Sequence, residues 1–134
     1  MQTEENKKLI RRWIAFADAG FPGAFDEFIA TDYVGHLGDT RMDLAELERV
    51  ERSFAISFPD AKHSIDDILA ENDRVVLRVT SRGTHRGEFH GIAPTDRPVE
   101  FTGIVIYRIA GHKIAESWGE LDFPRLMRRL RAAG

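Results

Sequence analysis

A chain of 134 residues, 43% hydrophobic and 31% charged, is long enough to bury a core as one domain and has an ordinary globular composition. It has no cysteine, which excludes disulfides, thiolate metal sites and cysteine nucleophiles and fits a reducing cytoplasm. The net charge of -3 argues against general binding to a nucleic-acid backbone, and the charged start "MQTEENKKLIRRW" reads as neither signal peptide nor membrane span.

In chain order, Leu9, Ile10, Trp13, Ile14 and Ala17 form a helical stripe that stops at Gly20. "FPG" then breaks the chain, and Phe25, Phe28 and Ile29 mark a short second helix. Asp43 and Glu46 form a capping box for a third helix along Leu44, Leu47, Val50 and Phe54, which ends before Pro59. Beyond Pro59 the period changes. Residues 62 to 70 and 74 to 82 read as strands joined at "END", and a looser stretch with Gly87, Gly91 and Pro94 follows. Residues 98 to 109 and 112 to 119 read as a hairpin turning at "AGH", and a last helix spans about 123 to 132. Three helices, an antiparallel meander and a short helix imply an α+β domain, with helices on one face of a curved sheet and a cone-shaped interior.

Asp122, in "ESWGELDFPRLMRRL", stands where the last helix begins. Its carboxylate suits an N-cap, and Pro124 is tolerated in the first turn. If Asp122 also faced a pocket beside Trp118, desolvation would raise its pKa and suit it to proton transfer. The alternation in "RVVLRVTSR" places Val76, Arg78, Thr80 and Arg82 on one face, for solvent or a wet pocket, where Arg78 could hold a carboxylate or a substrate oxygen. His36, His85 and His90 lie in glycine-containing loops, where exposed or satisfied histidines are the commoner case. His63 and His112 read as surface residues. The five histidines have no metal-ligand spacing, and no phosphate loop, nucleophile elbow or dinucleotide fingerprint occurs. Arg125, Arg128, Arg129 and Arg131 read as the solvated face of the last helix.

The pieces "FPD", "GTHRGEFHGIAPT" and "GHKIAESWGELD", in that order within residues 56 to 130, resemble the SnoaL-like polyketide cyclases of the nuclear transport factor 2-like superfamily. The resemblance implies a cone-shaped α+β barrel with an apolar cavity, no cofactor and an oligomer; apolar residues on both faces of "VEFTGIVIYRI" predict a homodimer built on the sheet's outer face. The resemblance also implies acid/base chemistry on a small hydrophobic carbonyl compound. It assigns the acid/base to Asp122 and polarising roles to His36 and His85; substrate contacts are expected of Arg78, Trp118, His90 and Phe54. Two departures stand out. Asp96 replaces a usual glycine, and His90 a usual apolar residue. The alternatives are a non-catalytic ligand-binding or dimerisation module and, less favoured, an epoxide hydrolase. The latter pattern wants a carboxylate where Thr80 stands.

Overall fold

The computed structural model describes residues 1–132. The first helix, α1 (Gln2–Asp18), buries Asn6, Leu9, Ile10, Trp13 and Ile14, the one-face spacing read from the sequence. Phe21 and a 3-10 turn at Phe25–Glu27 then close an aromatic cluster around Trp13. Here Phe16 and Phe28 have ring centroids 4.8 Å apart. The short second helix expected here is only that turn, and the chain enters strand β1 (Ile29–Leu37) directly. A tight return gives β2 (Thr40–Met42), followed by α2 (Leu44–Ser57). The Asp43–Glu46 capping box opens α2 with both reciprocal bonds present.

Strands β3 (Lys62–Glu71), β4 (Arg74–Thr84), β5 (Pro98–Ala110) and β6 (Lys113–Leu121) form an antiparallel meander. Gly111 and His112 both have positive φ, 57° and 63°, which closes the β5–β6 turn tightly. The last helix, α3, covers Phe123–Arg131.

The six strands lie in the order β2-β1-β6-β5-β4-β3. The strands after Pro59 are antiparallel as expected, and β1, not among the expected strands, adds one parallel pairing. β1 pairs with β6 in parallel, with Gly35 opposite Ser117 and His36 opposite Trp118. The pairing joins segments about eighty residues apart, so no local hairpin signal announces it. Inward positions on β4 are Val75, Leu77, Val79 and Ser81, and on β5 Val99, Phe101, Tyr107 and Ile109, all buried. Their side chains meet α1 and α2 in one core cluster, and Phe58, Phe89 and Leu126 under α3 in a second. The helices therefore cover one face of the curved sheet and enclose the space above it.

The loop after β4 is tied to the end of α2. Arg86 N and Gly87 N both donate to the Ser57 carbonyl, and Ser57 Oγ donates to the Glu88 carbonyl at 2.6 Å. A Cβ on Gly87 would come within 2.7 Å of the Ile56 carbonyl oxygen, so only glycine permits this approach.

Candidate active site

The enclosed space is a cavity of about 160 Å³ between the sheet and α1 and α2. Its walls are mostly apolar, with Trp13, Leu47, Phe54, Leu77, Val105 and Phe123 among them. Val50 on α2 lines it while 45% exposed, which marks the mouth. The polar groups on the walls are few: Glu51, Tyr33, Ser117, Tyr107, Ser81, His36 and His63.

Glu51 lies on the same stripe of α2 as Leu44, Leu47 and Phe54, so the helix turns its carboxyl toward the core. Desolvation pushes the Glu51 pKa up to about 7. Tyr33 on β1 bonds Ser117 on β6, Oη to Oγ, at 2.7 Å. Burial raises the Tyr33 pKa; the Ser117 bond opposes this in part, and the nearby Glu51 charge adds to it. Tyr107 is pushed higher still, again by burial first and then by Glu51 and Tyr33. Both phenols therefore stay protonated donors beside the carboxyl.

Gly35 makes the Tyr33–Ser117 bond possible. A Cβ built there would fall 2.3 Å from Tyr33 Oη and 2.8 Å from Cζ, because the ring lies over the glycine to reach Ser117.

At the other side, His63 opens β3. Its Nδ1 lies 2.7 Å from Asp18 Oδ1, and the same oxygen accepts the His63 backbone N–H at 3.0 Å. Asp18 is the last residue of α1. His63 was expected at the surface, but inward alternation with Ile65 turns it to the cavity.

The residues singled out from the sequence fall in several places. Phe54 lines the cavity. Asp122 caps α3, its Oδ1 accepting from Arg125 N at 3.1 Å. Its neighbours Leu121 and Phe123 line the cavity, and Asp122 itself does not. Trp118 is not a wall of the cavity. Strand alternation sends Ser117, Gly119 and Leu121 inward and Trp118 to the outer face, where Arg74 sits 4.9 Å above its ring. His36 borders the cavity along β1, but its ring stacks on Trp118 and its Nε2 lies 2.8 Å from Glu116 Oε2. That hydrogen bond, with Arg108 beside it, holds the Glu116 carboxyl below its usual range. Arg78 is exposed and pairs with Asp67 at 2.7 Å on the outer face, so its side chain does not meet Glu51.

His85 is fully buried under the 85–97 loop, stacked on Phe58. Thr95 N donates to its Nδ1, and its Nε2 has no partner among the described residues. It does not line the cavity. His90 is exposed at the positive-φ tip of that loop, at 47°, so the cavity gains no polarity from it. Asp96 also has positive φ, 58°, the conformation that explains a glycine preference there.

Among the described residues no group of three or more histidine, aspartate or glutamate side chains is placed to hold a metal ion. No helix among them is long and apolar enough to cross a membrane.

A helix-covered α+β sheet thus encloses an apolar cavity furnished with a desolvated carboxyl and buried phenols. The chain belongs to the SnoaL-like polyketide cyclase family, whose model matches residues 7–130. Among solved structures, AclR from Streptomyces galilaeus, named as a candidate hydroxylase, is 28% identical with a TM-score of 0.90, covering 96% of each chain. IdmH from Streptomyces antibioticus, named as a candidate polyketide cyclase, is 30% identical with a TM-score of 0.83, over 95% of this chain and 99% of that one. A candidate SnoaL-like cyclase from Jannaschia, at 16% identity and a TM-score of 0.89 over 98% of this chain and 95% of that one, shares the fold. A comparison with curated proteins gave no significant match.

Proposed function

We propose that the protein performs cofactor-free acid–base chemistry on a small hydrophobic carbonyl compound held in this cavity, either an aldol-type ring closure or an isomerisation through an enolate. The observation that carries this reading is Glu51. A carboxyl with a pKa near 7, opening on an apolar cavity, can both take and return a proton at neutral pH. Tyr33 and Tyr107, kept protonated by burial, supply donors for the oxygen on which enolate charge develops. The cavity volume is close to that of the apolar cavity of about 150 Å³ that accepts benzene, which fits a ring-sized reacting portion.

The test is a panel of enolisable, hydrophobic keto-esters, followed by two variants on any compound that turns over. Glu51→Gln should lose turnover by about 100-fold or more. Asp122→Asn keeps a capping oxygen and should retain turnover. The reverse result would move the acid–base role to Asp122. Full turnover in both variants would leave a non-catalytic ligand-binding module as the better reading.

We also propose that the outer sheet face pairs with a second copy. Leu69, Val76, Ile106 and Trp118 are successive cross-strand neighbours and make an apolar row. Leu69 is 65% exposed, and Ile104, one row away, is 50% exposed. Charged pairs flank the row, Arg108–Glu116 on one side and Arg78–Asp67 on the other. Burying such a row against itself removes apolar area from water, which works against the association cost. Sedimentation at tens of micromolar should show a dimer, and Ile106→Glu should give a monomer. A monomeric wild type would reject this assembly.

A further inference from the structure

Glu51 is not the only proton carrier that reaches the cavity. His63 borders the same space from β3, and the end of α1 fixes its chemistry. An ionised carboxylate only accepts hydrogen bonds, so the 2.7 Å contact with Asp18 Oδ1 places the ring proton on Nδ1. Nε2 is then left with its lone pair as the ring's acceptor. The Asp18 oxygen is itself fixed, because it also accepts the His63 backbone N–H at 3.0 Å. The His63 side chain is 21% exposed and that of Asp18 26%. The pair is therefore partly shielded from water but not sealed in.

We propose that His63, held in one tautomer by Asp18, is a second proton carrier of this cavity, taking a proton from substrate carbon while Glu51 supplies one to substrate oxygen. The inference rests on the acid–base reading above and narrows it to the ring closure. In an intramolecular aldol closure the C–H bond alpha to one carbonyl breaks, and its proton passes to His63 Nε2. The released electron pair forms the new C–C bond at a second carbonyl, whose π electrons move to oxygen. That oxygen takes the Glu51 proton. The product is an isomer of the substrate, and His63 imidazolium and Glu51 carboxylate remain. Proton return from His63 to Glu51 through water resets the site. Asp18 touches no substrate atom. It is a positioning residue that sets the tautomer. The other titratable groups on the cavity walls are Tyr33 on β1 and Tyr107 on β5, both donors in this scheme, and His36 on β1, whose Nε2 is engaged by Glu116.

The first readout needs no substrate. Nitrogen-15 NMR of wild-type protein, at a pH where His63 is neutral, should show the Nδ1–H tautomer. Asp18→Ala should shift it toward the Nε2–H form that free imidazole prefers, and Asp18→Asn, which keeps an acceptor oxygen, should largely restore Nδ1–H. A wild-type ring carrying its proton on Nε2 overturns the proposal. On a substrate found with the keto-ester panel, His63→Gln should lower kcat by about tenfold or more with KM little changed. Full kcat in His63→Gln beside an inactive Glu51→Gln overturns the second carrier and leaves the acid–base reading standing. Full kcat in both overturns both.

Discussion

Glu51→Gln is expected to raise the melting temperature by roughly 5 °C or more at pH 8.5 and to change it little at pH 5. Glutamine has the shape of protonated glutamic acid, so the variant removes a charge and keeps the packing. The sign follows from the shift itself. Burial raises the Glu51 pKa from 4.5 to about 7, so between those values the folded protein holds a proton that the unfolded chain has released. That contribution is complete below pH 4.5 and is lost as pH rises through 7. Above pH 7 the folded state carries a desolvated, partly buried carboxylate with no cationic partner among the described residues, at a cost on the order of 3 kcal/mol relative to the acid side. Glutamine pays none of it. Other titrating groups are common to both proteins and cancel in the difference. Equal melting shifts at pH 5 and pH 8.5 would show that Glu51 is not desolvated, and the case for its proton transfer would fall with it. A stabilised but inactive variant is the outcome expected where a strained site supports chemistry.

The same residue shows where sequence reading stops. Leu44, Leu47 and Phe54 define the buried stripe of α2, and Glu51 fits the 3.6 period between them. A charge inside an apolar stripe was a visible signal, but neighbouring Glu48, Arg49 and Arg52 make it look like one more solvated position. The capping box at Asp43, the hairpins after Pro59 and the cap at Asp122 were legible because each depends on residues a few positions apart. Strand β1 was not. Asp32 and Gly35 interrupt it, a register shift falls between Ile29 and Val34, and its partner β6 is distant in the chain. Missing β1 hid Tyr33. It also hid the row that stacks His36, at the cavity's border, on Trp118 of the outer face. For β6 a large tryptophan suggested an inward face, yet the small Ser117 and Gly119 point in, because the cavity needs room there.

Gly35→Ala is expected to destabilise the protein by about 1–3 kcal/mol, although alanine is ordinarily the better strand residue. The new methyl would lie 2.3 Å from the Tyr33 hydroxyl and 2.8 Å from the ring carbon that bears it. Tyr33 is only 4% exposed and packed in the main core cluster, so its ring can yield only by disturbing neighbours. Any movement large enough to relieve the contact stretches the 2.7 Å bond to Ser117 and leaves a buried hydroxyl unpaired. Turnover should fall as well, since Tyr33 then presents its donor from the wrong place. A double-mutant cycle separates the clash from a general loss of strand quality. Tyr33→Phe removes the closest atom, so Gly35→Ala should cost less in the Tyr33→Phe variant than in wild type, by about 1 kcal/mol or more. Additive costs would mean that the ring already moves freely at that position. The Tyr33–Ser117 bond would then lose its place in the oxygen-binding end of the cavity.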